Sequence, residues 1–241
     1  MPVTANKIAK NVDRIRQEIA DACARTGRSG DSVDIVAVTK SVDVATIKNC
    51  LKAGLTTFGE SRPKQLAERF TELDEYLHQR RDPLQGRVKW HLVGHLQRNK
   101  VKQALRAADV IHSIDSLRLA EETSSRAEAD ERVVDVMLQV NCSQETHKFG
   151  CAVGAATHLG EMICTMRSVR LTGLMTMGPT SGDPQQTRRA FIRLREIFEE
   201  MKHDKIGGDS FRHLSMGMSG DYVIGVEEGA TIVRIGTKLF A

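Results

Sequence analysis

Aromatic side chains are scarce: Phe, Trp and Tyr make up 4% of 241 residues, as seven Phe, one Trp and two Tyr. A surface that stacks nucleic-acid bases on rings needs more than this, so no nucleic-acid role is expected. Charge of one sign is scarce as well. The 35 Lys and Arg are set against 31 Asp and Glu, leaving +4 spread along the chain. That excess is too small for DNA or membrane-surface affinity. Cysteine occurs five times, at Cys23, Cys50, Cys142, Cys151 and Cys164, with no Cys-x-x-Cys pair. An odd count without that spacing argues against a disulfide framework or a zinc site and suits a reducing cytosol. No apolar run approaches the roughly 20 residues that span a bilayer. Residues 1–20 are polar, with Lys7 and Lys10, unlike a signal peptide. A cytoplasmic globular protein remains, long enough to bury roughly 70–75% of its unfolded surface without staples.

What is present is an alternation. Ile8, Val12, Ile15, Ile19 and Cys23 form one stripe of an amphipathic helix over 5–26, with Thr4 as cap and Gly27 as stop. Asp34-Ile-Val-Ala-Val-Thr-Lys40 is a β-branched run between turn-formers and is predicted as a strand. The pattern then repeats. Helices are expected at 44–53, 63–79 (Leu66, Phe70, Leu73, Leu77), 98–107, after Asp115 or Ser116, at 153–166 and in a long segment beyond the 178–184 loop. Strands are expected at 56–60, 88–93, 110–114, 133–140, 170–176, 212–216 and 231–235. Ser61 and Pro63 read as helix-start signals.

Eight strands, seven followed by a helix, imply parallel pairing, because parallel neighbours need a crossover. The fold class is α/β, a single (β/α)8 TIM barrel over residues 1–241. The last helix is missing from the pattern, so the N-terminal helix is expected to cover that flank. A doubly wound open sheet would want Gly-x-Gly-x-x-Gly after its first strand. Here the strand runs into Thr39-Lys40-Ser41.

Barrel chemistry sits at the C-terminal strand ends, with phosphate often held after strands seven and eight. Lys40 ends strand one on the face of Val36 and Val38. Over an apolar floor its amine would be partly withdrawn from water, as imine-forming lysines require; an ordinary solvated lysine is the alternative. Ser215-Met-Gly-Met-Ser219-Gly220-Asp221 leads from strand seven into a short helix. Its glycines, the Ser219 hydroxyl and free N–H groups suit an anion, or else form a plain turn capped by Asp221. Arg234-Ile-Gly236-Thr237 ends strand eight. Arg234 inside a barrel would need acceptors, since it keeps its charge; on the surface it would need none. Together these features describe a phosphate cradle facing an amine. A phosphorylated aldehyde satisfies both ends, pyridoxal 5′-phosphate above all.

Further segments join these: Ala37 to Lys40, Phe58-Gly-Glu60, Trp90-His91, Gly94 to Lys100, Asn141 to Glu145, Lys148-Phe-Gly150 and Gly173 to Met177. In this order they closely resemble the pyridoxal-phosphate homeostasis proteins, whose barrel is shared with the N-terminal domain of alanine racemase. The resemblance runs over nearly the whole chain. It implies a pyridoxal-phosphate imine on Lys40, phosphate contacts from Ser219, Gly236 and Thr237, and Arg234 near the pyridine nitrogen. A permanent cation there disfavours ring protonation and weakens support for carbanion chemistry. It further implies a carrier or regulator of the free vitamer, without established catalysis, serving apo pyridoxal-phosphate enzymes; a monomer is expected. The family usually reads Phe-Gly-Glu-Asn where this chain has Ser61, so the asparagine contact to the ring is replaced by a shorter side chain.

An amino-acid racemase is the rival function. It needs acid/base groups on both cofactor faces, and only Tyr76 and Tyr222 are available as tyrosines. His91 and His95 are four apart, but a strand is predicted there and no Glu follows His91, so metal ligation is set aside and His91 is expected to line the mouth. Cys142 reads as a small filler. Glu60 is a candidate to orient Lys40 or a neighbouring strand, and Lys148 either meets an anion at the rim or is solvated.

Overall fold

A computed structural model describes residues 2–79 and 87–241. The chain opens with α1 (Ala5–Arg25), then β1 (Asp34–Val38), α2 (Val44–Lys52), β2 (Thr57–Glu60) and α3 (Pro63–His78). β3 (Lys89–Leu92), α4 (Val101–Leu105), β4 (Val110–Ile114), α5 (Leu117–Ala129) and β5 (Val134–Gln139) follow. The last third holds α6 (Ala156–Cys164), β6 (Val169–Met175), α7 (Pro184–His203), β7 (His213–Met218), α8 (Tyr222–Glu227), β8 (Ile232–Ile235) and α9 (Thr237–Phe240). Neighbouring strands pair in parallel in chain order, and β8 returns to β1 through Asp34–Ile232 and Val36–Arg234, closing a (β/α)8 barrel.

Two apolar regions follow from the alternation of side chains along each strand. The larger lies between strands and helices, where Ala37, Phe58, Leu92, Ile111, Val136 and Leu174 meet the helix stripes. The smaller is the barrel interior, with Val36, Met137, Met175 and Ile232. Val36 therefore points inward, as the strand-one reading requires.

α1 closes the last flank, as expected. Its stripe of Ile8, Val12, Ile15 and Ile19 is buried, and the Thr4 hydroxyl caps it by accepting from the Lys7 N–H. Asn11 Nδ2 donates to the carbonyls of Leu239 and Ala241, tying the helix to the strand-eight end of the chain. The eighth helix is not missing, however: α9 supplies one turn. Two other expectations change. On α3 the buried position is Arg69, while Phe70 is 36% exposed, because Arg69 is drawn inward by a carboxylate and two carbonyls. Ser61 does not cap α3; Arg62 holds that position, and Pro63 starts the helix without a side-chain cap.

Candidate functional site

The C-terminal strand ends surround a cavity of about 320 Å³. Lys40, Ser61, Ser219, Arg234, Gly236 and Thr237 line it, so six of the seven residues singled out in the sequence meet in one place. His91 does not. It is buried on β3 beneath the mouth.

Lys40 follows β1 in a turn instead of ending the strand, and it is exposed, so the expected withdrawal from water is absent. Val38 lines the cavity beside it. The turn is held from behind. Arg69 donates to the carbonyls of Thr39 and Val42, and Gln65 Nε2 donates to the Lys40 carbonyl at 3.1 Å. Arg69 also pairs with Glu60, which accepts the Thr39 hydroxyl at 2.5 Å. Burial pushes the Glu60 carboxyl above its ordinary value, against the pull of Thr39 and Arg69. Glu60 thus acts on the backbone that carries Lys40.

Opposite lies the anion cradle. Ser219 Oγ accepts from the Gly236 N–H at 3.2 Å and the Lys238 N–H at 3.4 Å, locking the β7 loop to the β8 loop. Asp221 Oδ1 accepts from the Met218 N–H at 2.5 Å, so this carboxylate closes the turn and does not cap α8. The N–H groups of Gly220 and Thr237 have no hydrogen-bond partner among the described residues, and a Cβ on Gly220 would meet nothing within 4 Å. Free N–H groups, two hydroxyls and open space fit a phosphate.

Arg234 forms the floor, 4% exposed. Nη1 donates to the Ser215 carbonyl and hydroxyl at 2.8 and 2.6 Å, and Nη2 to the Thr176 carbonyl at 2.8 Å. Burial lowers it to about 10, which leaves the guanidinium charged at neutral pH. Below it a chain continues: Ser215 Oγ lies 2.9 Å from His112 Nδ1, and His112 Nε2 lies 2.8 Å from His91 Nδ1. Arg234 can only donate, so the Ser215 hydroxyl turns its proton toward His112 Nδ1. His112 is then protonated on Nε2 and donates to His91. Burial pushes His91 down to about 3 and His112 well below its usual range, keeping both neutral.

The remaining lining is Val93, Gly94, His95, Gln139, Phe149, Met177 and Met218, among others. Periodicity could not assemble these, since they come from four separate strand ends. Lys148, read from the sequence as either meeting an anion at the rim or solvated, does neither here: it ion-pairs with Glu145 at 2.6 Å and donates to the Gly178 carbonyl. It fastens the β5 loop to the β6 loop. Cys142 is buried, its thiol pushed up to about 11 by burial, which fits a filler. Among the described residues no group of three His, Cys, Asp or Glu could hold a metal, and no helix is long and apolar enough to cross a membrane.

This barrel, with a lysine after strand one and an arginine under the mouth, has a family counterpart. Residues 4–241 match the family described as alanine racemase, N-terminal domain, and the chain belongs to that family. Within it the similarity is to pyridoxal phosphate homeostasis proteins. That of Aquifex aeolicus is 34% identical over 96% of both chains. That of Pseudomonas aeruginosa is 34% identical over 97% of this chain and 94% of its own. Among solved structures, PipY of Synechococcus elongatus with PLP (pyridoxal phosphate) bound superposes with a TM-score of 0.80, at 28% identity, covering 97% of this chain and 100% of that one.

Proposed function

We propose that this protein binds pyridoxal 5′-phosphate reversibly, as an imine on Lys40, and serves vitamin B6 homeostasis in the cytoplasm as a carrier or regulator, not as an enzyme. The observation that carries this is the convergence of Lys40 with the Ser219, Gly236 and Thr237 cradle on one cavity. When bound, the cofactor supplies an aldehyde carbon to a primary amine. The chain's residues do the rest. Ser219 and the N–H groups of Gly220 and Thr237 hold the phosphate. Glu60, Arg69 and Gln65 present Lys40 from the opposite wall. Arg234, kept charged and held by the Ser215 carbonyl and hydroxyl and the Thr176 carbonyl, would present a cation to the ring, which disfavours a proton on the pyridine nitrogen.

The same features weigh against a racemase. Tyr222 is buried with its hydroxyl bonded to Glu18, and Tyr76 lies on α3 against the outer core under Lys48. Neither supplies the second acid/base group that racemisation needs. Apo pyridoxal-phosphate enzymes are the expected recipients, and the chain acts as a monomer.

The test is borohydride reduction of the yellow protein followed by peptide mass spectrometry. A pyridoxyl group on Lys40, and a colourless Lys40→Ala variant, are expected. A label on another lysine overturns the assignment. Rapid α-proton exchange in amino acids added to the holo-protein would instead favour the racemase.

A further inference from the structure

One group in the cavity has no part in holding the phosphate, the ring or the lysine. His95 follows β3, and its ring is fixed on two sides. Phe149 stacks on it, with centroids 3.6 Å apart and planes 11° from parallel. Asp115, after β4, brings Oδ2 to 3.4 Å from Nδ1. Nδ1 is fully enclosed, and that carboxylate is its neighbour although the pair is not aligned as a hydrogen bond. Phe149 is itself anchored: its carbonyl accepts from Gln139 Nε2 at 3.0 Å, and Lys148 beside it is clamped to Glu145 and Gly178.

The side chain is 30% exposed, and His95 is among the residues that line the same cavity as Lys40. Asp115 favours the tautomer with its proton on Nδ1, which leaves a lone pair on Nε2. A base oriented by a carboxylate and facing a nucleophile's cavity is the arrangement that proton transfer requires. The buried histidines do not serve: His112 spends both nitrogens on His91 and Ser215, His91 gives Nδ1 to that chain, and neither lines the cavity.

We propose that His95 is the proton-transfer group of this cavity, held by Asp115 and Phe149 so that Nε2 moves protons whenever the imine on Lys40 is made or broken. The inference rests on the reading under Proposed function. Release consumes one water. Its oxygen bonds to the imine carbon and becomes the aldehyde oxygen. The carbon–nitrogen bond breaks with its electron pair going to the lysine nitrogen, and both water protons end there. Protonated imine plus water give aldehyde plus ammonium, so atoms and charge balance. Nε2 accepts each proton from oxygen and returns it to nitrogen, and is unchanged at the end. Loading is the reverse.

The experiment follows loss of the imine absorbance when holo-protein is mixed with methoxyamine in a stopped-flow instrument. General acid–base groups contribute roughly 100-fold or more. His95→Phe, which keeps the stack, and His95→Ala, which opens space beside Asp115, are each expected to slow exchange on the order of 100-fold. Imidazole added to the buffer is expected to restore His95→Ala, a response that a purely structural role would not give. An intact imine with exchange within about 2-fold of the parent, or slowed exchange that imidazole leaves unchanged, overturns the proposal. Parent protein that holds pyridoxal phosphate without an imine overturns the functional reading itself, and this inference with it.

Discussion

Arg69→Met is the substitution whose cost the structure defines best. Glu60 is 0% and Arg69 8% exposed. Arg69 satisfies one Glu60 oxygen and the carbonyls of Thr39 and Val42. The other oxygen, Oε2, already lacks a partner. Methionine fills a similar volume but leaves the buried carboxylate without its cation. Removing one partner of a buried ion pair costs about 3–5 kcal/mol. Glu60 can limit the loss by taking a proton, since burial already raises it above its ordinary 4.5. A carboxyl raised in the folded state binds its proton there first, so folding gains stability as pH falls through the window from the raised value toward 4.5. The deficit of Arg69→Met is therefore larger at alkaline than at mildly acidic pH. Urea unfolding at several pH values measures it, and the double variant Glu60→Gln/Arg69→Met should recover most of the loss. A single-variant cost below about 1 kcal/mol, or one independent of pH, would refute the reasoning.

Three further outcomes are expected. His91 and His112 stay neutral when folded but take protons when unfolded, so stability present above their ordinary 6.5 drains away as pH falls below it, down to about 3 for His91. The slope is about 1.4 kcal/mol per pH unit for each histidine, and His112→Gln should flatten it in denaturant titrations between neutral and acidic pH. Gly94→Ala would place a Cβ 2.2 Å from the Ser61 carbonyl oxygen and 2.7 Å from its Cα. Because the obstacle is backbone, a loss near the upper end of about 1–3 kcal/mol is expected in thermal unfolding, with weaker cofactor capture. Ser61→Asn gives the cavity wall a longer amide, and one added hydrogen bond of about 0.5–1.5 kcal/mol should tighten pyridoxal phosphate roughly 2- to 10-fold in spectroscopic titration.

The barrel was legible because each strand is a short β-branched run and each helix carries its own stripe. Val36 and Ile15 needed no tertiary information to declare their faces. Position 69 was not legible, because helical spacing favours Phe70 until the buried carboxylate of Glu60 is known. Lys40, Ser219, Arg234, Gly236 and Thr237 could be placed because strand ends in a barrel converge by topology. His95, Asp115 and Phe149 could not. They lie on three loops, and nothing local distinguishes a histidine stacked on a phenylalanine from one in solvent. The one available signal was parity: His112 and Ser215 fall on the inward faces of β4 and β7, where a polar side chain must find a partner.

The fastening of Asn11 to the carbonyls of Leu239 and Ala241, across 228 and 230 positions of sequence, sets an order of events. α1 completes its seat only after β8 and α9 have been made. Until then its oily stripe is covered only in part, by α2 and residues 30–32, and closing so long a loop is entropically slow. Nascent chains should therefore expose part of that stripe until β8 has formed, and removing α9 should loosen α1.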